Sequence, residues 1–460
     1  MTDGRLRWLR IKRVPRPLIL LIVTLATLSS LQVMTPASHA EAVTATISVG
    51  VNPSGIGVDT STNRIYVSNY GNNGTFPSTV SVINGSNNSL ITTITVGVSP
   101  TGVGVNSLTN RIYIANYNSS NVSIINGATN TVTGSITVGT HPSHVAVNTA
   151  TNEIYVTNSG DGTVSVINGT TNTVAATIRV GNRPGGVGII SSTNLIYVAN
   201  SLDGTVSVID GNANAVIKTV PAGNDPGNVA PDNSRSLIYV ANSNSSLGLV
   251  TVIDGSSNTV VYTISVGAYP AGIDLNPGTN KIYVANSADS TVSVVDGFSK
   301  TEVNTVSLPI GTSPGTVGVN PFTNEIYVAN GRSYRTLSVI SGRSTATSIS
   351  CSPSSLVVNS NTICTATVTD ISGSGATTPT GIVLFSSNGM GSFNPTSCTL
   401  NGSGTTANCS VSYTPTGLGN SRNIFGTYSG STKHMSSSGN MIITVSAGAS
   451  MGGGGRLFPE

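Results

Sequence analysis

The chain has 460 residues, of which only 8% are charged, and it is rich in Gly, Ser, Thr and Asn. Its length allows two or three domains. Residues 18–34 form the only long apolar run, which excludes a multi-span membrane protein. The chain has 20 basic and 17 acidic residues, but six of the basic ones and one acidic one lie in the first 40. The rest of the chain has a net charge near −2, which argues against nucleic-acid binding driven by electrostatics.

The first 40 residues have the pattern of a secretory signal peptide. A basic segment precedes the apolar run, and Ser38-His39-Ala40 places small residues at the first and third positions of a cleavage site. We expect cleavage after Ala40, so that the mature chain begins at Glu41 and has no membrane span. A retained anchor is the alternative, although residues 18–34 fall short of the about 20 apolar residues that a span needs.

A motif of the form Ile-Tyr-Val-x-Asn, with close variants, recurs seven times after the leader. Its tyrosines are spaced by 47, 42, 42, 42, 44 and 44 residues, and such a period is typical of propeller blades with four short strands. The tyrosines are Tyr66, Tyr113, Tyr155, Tyr197, Tyr239, Tyr283 and Tyr327. The pattern predicts an all-β chain with seven four-stranded blades.

The strands within a blade follow from short β-branched runs. In the third repeat they are predicted over 144–148, 153–158, 163–167 and 174–180. Asn-Gly or Asp-Gly between the last two runs of six repeats predicts type I′ hairpins. Pro231 in the inner run of the fifth repeat predicts an irregular blade. The seventh repeat lacks a fourth run, and residues 43–50 match one, so we expect the N-terminal strand to close the ring.

These repeats closely resemble the YVTN family of β-propeller repeats, known from bacterial and archaeal surface and periplasmic proteins. The resemblance covers about residues 42 to 342, and Tyr155-Val156-Thr157-Asn158 carries it most clearly. It implies a seven-bladed β-propeller over 41–343. It implies little about function, because propellers host binding, scaffolding and catalysis alike.

The period ends after Gly342, and residues 344–447 form an all-β segment with the length of an immunoglobulin-like (Ig-like) sandwich. The stretches Ser350-Cys351-Ser352-Pro353 and Cys364-Thr365-Ala366-Thr367-Val368 resemble bacterial Ig-like repeats of surface proteins. We expect residues 448–460 to be a flexible Gly-rich tail.

All four cysteines lie in this second segment, and export to an oxidising compartment favours disulfides. Three connectivities are possible. Pairing of Cys351 with Cys364 and of Cys398 with Cys409 is preferred, because each pair brackets a strand–turn–strand. A zinc site is the alternative, but spacings of 13 and 11 residues are too long for it.

Each blade is entered through a residue that precedes a proline, and the repeat geometry places these residues around one mouth of the central channel. In blades three to six they are His141, Arg183, Asp225 and Tyr269. Arg suits an anionic group, Asp and His suit hydroxyls, and Tyr suits stacking. We therefore predict that these four residues bind a ligand, with ordinary surface variation as the alternative.

We expect no catalytic residues, no metal and no cofactor. The motif His141-Pro142-Ser143-His144 could suggest a metal, but it has no carboxylate partner in the sequence. A lactonase would need several carboxylates in the channel, and only Asp274 is expected there. A quinoprotein would need tryptophans, and the single one, Trp8, belongs to the leader.

The leading hypothesis is a non-catalytic protein that is secreted or held at the cell surface or in the periplasm. The propeller would be an interaction scaffold, and the Ig-like domain a spacer or adhesion module. The expected partner is a cell-envelope polymer, a glycan or a surface protein. The first alternative is a propeller enzyme, such as a lactonase-like hydrolase or a dehydrogenase. The second is a nucleic-acid-binding propeller, an activity reported for some members of the resembling family.

Overall fold

In the computed structural model of the protein, residues 41–72, 77–244, 246–331, 334–342, 345–371, 376–431 and 434–448 are described. The predicted signal peptide and residues 449–460 of the predicted tail lie outside these ranges. The described chain consists of β-strands and one short 3₁₀ helix, η1 (Tyr117–Ser119). Over these residues, no helix has the length and apolar character needed to cross a membrane.

The described part of the repeat region forms seven four-stranded antiparallel sheets, numbered here in chain order. Strand β1 (Ala42–Ser48) precedes them. Sheets 1 to 3 contain β2 (Pro53–Asp59), β3 (Arg64–Asn69), β4 (Thr79–Asn84), β5 (Ser89–Thr95), β6 (Pro100–Asn106), β7 (Arg111–Asn116), β8 (Asn121–Asn126), β9 (Thr131–Thr137), β10 (Pro142–Asn148), β11 (Glu153–Asn158), β12 (Thr163–Asn168) and β13 (Thr173–Arg179).

Sheets 4 to 7 continue the same pattern. They contain β14 (Pro184–Ile190), β15 (Leu195–Asn200), β16 (Thr205–Asp210), β17 (Ala215–Pro221), β18 (Pro226–Asp232), β19 (Leu237–Asn242), β20 (Leu249–Asp254), β21 (Thr259–Ser265), β22 (Pro270–Asn276), β23 (Lys281–Asn286), β24 (Thr291–Asp296), β25 (Thr301–Ser307), β26 (Pro314–Asn320), β27 (Glu325–Asn330) and β28 (Thr336–Ser341).

The two ends of the repeat region meet. The first strand of each sheet contacts the first strand of the next, and β26 of sheet 7 contacts β2 of sheet 1. Strand β1 pairs antiparallel with β28, with Ala42 opposite Ser341 and Ser48 opposite Thr336. The prediction that the N-terminal strand completes the last sheet is therefore confirmed.

The motif strand of each repeat is buried on both faces, because it lies inside its sheet and neighbouring sheets pack against it. Tyr197 of sheet 4, for example, packs with Ile238 and Val240 of sheet 5. Its hydroxyl donates to Oδ1 of Asn258, in the last turn of sheet 5, at 2.7 Å. The hydroxyl of Tyr327 in sheet 7 donates to the equivalent Asn88 of sheet 1 at 2.8 Å, and this bond also joins the two ends of the repeat region.

Glu41 replaces a turn asparagine where the two ends of the repeat region meet. Sheet 7 has no turn between its last two strands, because β28 and β1 are distant in the sequence. The buried carboxylate of Glu41 pairs with Lys281 of sheet 6 instead. Oε1 of Glu41 also accepts a hydrogen bond from the motif tyrosine of that sheet, Tyr283, at 3.4 Å. Burial and this carboxylate raise the pKa of Tyr283.

The prediction of type I′ hairpins is wrong. The last two strands of sheet 1 are joined by a four-residue turn, 85–88, in which Asn88 N donates to the Asn84 carbonyl at 2.8 Å. The left-handed residue is Asn88, with a φ of 59°, and not the Asn-Gly pair. Gly85 is required for a different reason, since a Cβ there would lie 2.3 Å from Oδ1 of Asn63.

The expected irregularity of sheet 5 is also absent from the described strands. Strand β18, which contains Pro231, keeps its pairing with β19, and Pro231 lies opposite Ile238. The reason is its position, because the inner strand of each sheet is an edge strand and proline is tolerated there.

The C-terminal strands form two five-stranded sheets that share one apolar core. The first contains β29 (Thr345–Ser352), β31 (Thr362–Asp370), β33 (Gly391–Asn394), β35 (Asn401–Ser403) and β36 (Thr406–Pro415). The second contains β30 (Ser355–Val357), β32 (Ile382–Ser387), β34 (Ser397–Thr399), β37 (Gly419–Tyr428) and β38 (Ser437–Ser446).

The four cysteines form two disulfides, Cys351–Cys364 and Cys398–Cys409. This is the preferred pairing. The first links β29 to β31 within one sheet, and the second links β34 to β36 across the two sheets.

Candidate functional site

The strand register brings the residues that precede each inner-strand proline to one edge of the sheets, called here the mouth face. Pro142 lies opposite Asn158, so the connection after Asn158 shares this edge with His141. The His141 carbonyl accepts a hydrogen bond from Ser159 N at 3.0 Å. The same bond is made by the carbonyls of all seven pre-proline residues: Asn52, Ser99, His141, Arg183, Asp225, Tyr269 and Ser313.

These seven residues all have left-handed backbones, with φ between 43° and 57°. This conformation costs a residue other than glycine about 1–2 kcal/mol, and Asn and Asp adopt it most readily. In the first and third turns of the repeats, on the face called here the opposite face, asparagine dominates the left-handed positions. Those positions are Asn63, Asn110, Asn152, Asn194, Ser236, Asn280 and Asn324, and Asn88, Asn130, Asn172, Asn214, Asn258 and Lys300. Arg183 and Tyr269 therefore occupy a conformation that favours other residues, whereas histidine, like asparagine, is enriched in it.

Two of the four predicted ligand-binding residues line one cavity. The cavity has a volume of about 500 Å³ and lies at the mouth face of sheets 3 and 4, beside η1. We call it the mouth cavity. Its lining residues are Tyr117, His141, Ser159, Gly160, Asp161, Gly162, Asn182, Arg183, Leu202 and Asp203. Asp225 and Tyr269 occupy the equivalent positions in sheets 5 and 6 and do not line it.

One wall of the mouth cavity is aromatic. The rings of Tyr117 and His141 are nearly parallel, with an angle of 10° between their planes and centroids 4.4 Å apart. Gly160 makes room for this stack, since a Cβ there would lie 3.0 Å from Nδ1 of His141. The sequence analysis missed Tyr117. A signal for it exists, because Tyr117 follows the motif asparagine at a position where four of the later repeats have serine.

Two carboxylates in the mouth cavity brace the turns that carry the pre-proline residues. Asp161 accepts hydrogen bonds from Thr140 N at 2.6 Å and from Thr140 Oγ1 at 2.5 Å. Asp203 accepts bonds from Asn182 N at 2.7 Å and from Asn182 Nδ2 at 2.8 Å. These bonds lower the pKa of both carboxyl groups. Both are therefore ionised at neutral pH.

Arg183 is the one permanent cation among the residues that line the cavity. Its backbone is fixed, since its carbonyl accepts bonds from Ser201 N at 3.2 Å and Ser201 Oγ at 3.1 Å. Its side chain is exposed and forms no ion pair with any residue that the structure describes. The guanidinium is available to an anionic ligand.

The inner strands carry two further titratable residues, His144 and Asp274. Asp274 stands where the other repeats have Gly or Ala. Its carboxylate accepts bonds from Leu275 N and Val319 N, both at 2.8 Å. Burial raises the pKa of Asp274 to about 6 and lowers the pKa of His144 to about 4. Nδ1 of His144 is buried without a hydrogen-bond partner.

The histidine pair of the His-Pro-Ser-His motif is divided between two environments, with His141 exposed at the mouth face and His144 on the inner strand β10. Within the described ranges, no group of three His, Cys, Asp or Glu side chains is arranged to hold a metal ion.

His434 is buried in the C-terminal region and not exposed in a loop. Its Nε2 lies 3.3 Å from Oδ2 of Asp370 and 3.1 Å from Oγ1 of Thr377, and its Nδ1 lies 3.2 Å from Oγ of Ser431. The two ring nitrogens thus join the segments that follow β31 and β37. Ser431 Oγ also accepts the backbone N–H of His434, which commits this hydroxyl to the turn.

Comparison with known proteins supports the fold. A family model described as a YNCE-like beta-propeller matches residues 145–249. None of the curated proteins matches the chain in sequence. Among solved structures, the chain is similar to one of hydrazine synthase from Kuenenia stuttgartiensis, with a TM-score of 0.56 and 17% identity. That match covers 64% of this chain and 97% of the other, and at this identity it shows the fold alone. The repeat region of this chain is a β-propeller.

Proposed function

We propose that this chain is a non-catalytic β-propeller protein, secreted or held at the cell surface, that binds a ligand at its mouth face. In this proposal, residues 1–40 are an export signal and 41–343 are a seven-bladed propeller with YVTN-type repeats. Residues 344–447 are an Ig-like sandwich that serves as spacer or adhesion module, and 448–460 are a tail. The two disulfides suit an exported protein. The partner is a cell-envelope polymer, a glycan or a surface protein.

The observation that carries this proposal is the choice of residues at the left-handed positions. On the opposite face, where the left-handed residues shape turns and bond to the neighbouring sheet, this chain uses asparagine in most repeats. At the mouth face it uses His141, Arg183 and Tyr269, whose side chains are exposed. Strained backbone that carries solvent-facing polar and aromatic groups is typical of binding sites. Two of these side chains also share a cavity of about 500 Å³, a volume within the usual range for small-ligand sites.

The enzyme alternative has less support in the residues. Asp274 is a buried carboxylate with a raised pKa, as a general acid or base requires. Both of its oxygens, however, accept bonds from backbone N–H groups of β22 and β26. The equivalent inner-strand positions in the other repeats are Gly57, Gly104, Ala146, Gly188, Ala230 and Gly318, so the repeat supplies no second carboxylate beside it.

A thermal-shift screen of the purified protein against sugars, cell-wall fragments, organic acids and metals tests the proposal. A ligand at a hundredfold excess over its dissociation constant stabilises the folded state by about 2.7 kcal/mol. We expect a shift that is lost in His141→Asn and Arg183→Asn, since asparagine keeps the backbone conformation and removes the side chain. Ser313→Asn is the matched control, because Ser313 has the same backbone and does not line the cavity.

A shift that is equal in all three variants would place the ligand elsewhere and overturn the proposal. Turnover of a small molecule that Asp274→Asn abolishes would favour the enzyme.

A further inference from the structure

The lining of the mouth cavity combines three recognition chemistries within one space. The stacked rings of Tyr117 and His141 supply an aromatic surface, and Leu202 adds an exposed apolar side chain. Asp161 and Asp203 supply carboxylate oxygens, and Arg183 supplies a guanidinium. A ligand that uses all three needs a flat apolar face, hydroxyl donors and an anionic group.

The carboxylates select for hydroxyl donors. Asp161 and Asp203 each accept two hydrogen bonds from the turn that carries the neighbouring pre-proline residue. An ionised carboxylate has about four lone-pair sites, so each can accept further bonds from a ligand. Because the pKa of each carboxyl group is lowered, both remain acceptors at neutral pH.

Arg183 selects for a carboxylate or a similar planar anion. A guanidinium presents its N–H groups as a fork that matches a carboxylate with two parallel bonds. The ion pairs of the described residues do not include Arg183, so a ligand need not displace an internal partner. Without Arg183, the two aspartates would repel an anion.

The aromatic wall selects for a ring. In the stack each ring covers one face of the other, so a ligand ring can pack on the outer face of one of them, and Gly160 keeps the space beside His141 open. A pyranose ring offers a flat C–H face for such a surface and hydroxyls around its edge. A carboxylate on that ring would reach the guanidinium.

We propose that the mouth cavity binds a sugar ring that carries a carboxylate, as in a uronic acid unit of an acidic polysaccharide. This inference rests on the proposed function, whose ligand class it names. The sugar ring packs against the outer face of the Tyr117–His141 stack, its hydroxyls donate to Asp161 and Asp203, and its carboxylate accepts from Arg183.

Isothermal titration with matched oligosaccharides tests this assignment. The probes are oligomers of galacturonic acid and glucuronic acid, their neutral counterparts built from galactose and glucose, and glucosamine oligomers as cationic probes. We expect at least one acidic oligomer to bind at least tenfold more tightly than its neutral counterpart. Arg183→Gln should remove this preference, and Arg183→Lys should keep part of it, because lysine retains the charge without the fork.

Folding is checked by the thermal midpoint of each variant. Gly160→Ala tests the site without replacing any of its ligand-contacting side chains, because its Cβ would lie 2.4 Å from Thr140 Oγ1 and 3.0 Å from His141 Nδ1 and would displace both groups. We expect Gly160→Ala to lower the affinity for the acidic oligomer at least fivefold, while Ser313→Asn leaves the affinity unchanged.

Equal affinity for acidic and neutral oligomers, tighter binding of glucosamine oligomers, or an acid preference that survives Arg183→Gln would overturn the assignment. If no sugar binds, but another ligand does so through His141 and Arg183, the assignment fails and the proposed binding function stands. If no ligand or envelope partner responds to these variants, both fail.

Discussion

On the opposite face of the propeller, asparagines of neighbouring sheets bond to each other. Nδ2 of Asn148 donates to Oδ1 of Asn194 at 2.7 Å, and Nδ2 of Asn320 donates to Oδ1 of Asn63 across the closure, also at 2.7 Å. The acceptors in these pairs, Asn194 and Asn63, have left-handed backbones. On the mouth face, Arg183 has the same backbone conformation, yet its side chain extends into a cavity. The left-handed conformation thus supports contacts between sheets on the opposite face, whereas on the mouth face it holds an exposed side chain.

This contrast between the opposite face and the mouth face explains how the repeat sequence can vary while the fold is kept. Side chains on the opposite face are constrained by the next sheet, so a change there breaks an inter-sheet bond. On the mouth face, the position of Arg183 is defined by bonds to its backbone and to the preceding Asn182, as in the bond from Ser201 N to the Arg183 carbonyl. Any side chain that tolerates the strain is then compatible with folding, and binding can determine which one is present.

The largest effect is expected on the opposite face, where the ring closes. Glu41→Ala removes the carboxylate that pairs with Lys281 and accepts from Tyr283. Because the partners remain partly buried without it, we expect the free energy of unfolding to fall by about 3 kcal/mol. Urea unfolding at pH 7 measures it. The exposed Glu302→Ala is the control and should change stability by less than about 0.5 kcal/mol. Equal effects of the two variants would mean that the Glu41 carboxylate does not stabilise the closure.

Features that depend on residue spacing and on runs of similar residues could be predicted from the sequence. The motif strand, the N-terminal strand that completes sheet 7 and the disulfide pairs all follow from spacing and from runs of similar residues. Each of these depends on contacts that a pattern of β-branched residues or a short loop determines locally. The ring of pre-proline residues could also be derived, because the repeat itself places equivalent residues on one edge.

Contacts between sheets could not be predicted from the sequence. Gly85 looked like part of a hairpin turn, but the reason for it is the approach of Asn63. The mouth cavity depends on Tyr117 of one repeat meeting His141 of the next, and no period describes that pair. It follows that His141 and Arg183 were placed correctly at one face, while the residues that share their cavity were not found.

The second largest effect is a pH dependence of stability that arises on the inner strands. There His144 and Asp274 depart from the residues of most other repeats. His144 has a pKa of about 4 in the folded protein, below its ordinary value of 6.5, so its contribution to stability is lost as pH falls through this interval. Asp274 has a pKa of about 6, above its ordinary 3.8, so stability is gained over much of the same interval. Between pH 7 and pH 4.5 each residue changes the free energy of unfolding by about 2 kcal/mol, and the two changes have opposite signs.

Single variants should therefore expose opposite pH dependences. Relative to the wild type, the free energy of unfolding of His144→Asn should rise by about 2 kcal/mol as the pH falls from 7 to 4.5. That of Asp274→Asn should fall by about 2 kcal/mol over the same change. Asparagine is the residue that sheet 5 has at the position of His144, Asn228. Urea unfolding at the two pH values measures both. Parallel curves for a variant and the wild type would show that the replaced residue does not titrate in this range.

The smallest expected changes in the free energy of unfolding come from two substitutions at matched left-handed positions, one on each face. On the opposite face, Asn152→Ala removes an Oδ1 that accepts from Asn106 Nδ2 at 2.7 Å, and it leaves alanine in a left-handed conformation. We expect it to lower the free energy of unfolding by about 1 kcal/mol. On the mouth face, Arg183→Asn should raise that free energy by about 0.5 kcal/mol, because asparagine tolerates the same conformation better and no internal ion pair is lost.

Urea unfolding at pH 7, with unchanged dependence on denaturant, decides the signs. Opposite signs mean that the arginine is kept at a cost to stability, which a role in binding explains. If Arg183→Asn instead destabilises the protein as much as Asn152→Ala does, the Arg183 side chain supports the fold. The mouth face would then follow the same rule as the opposite face, and its residues would no longer point to a ligand.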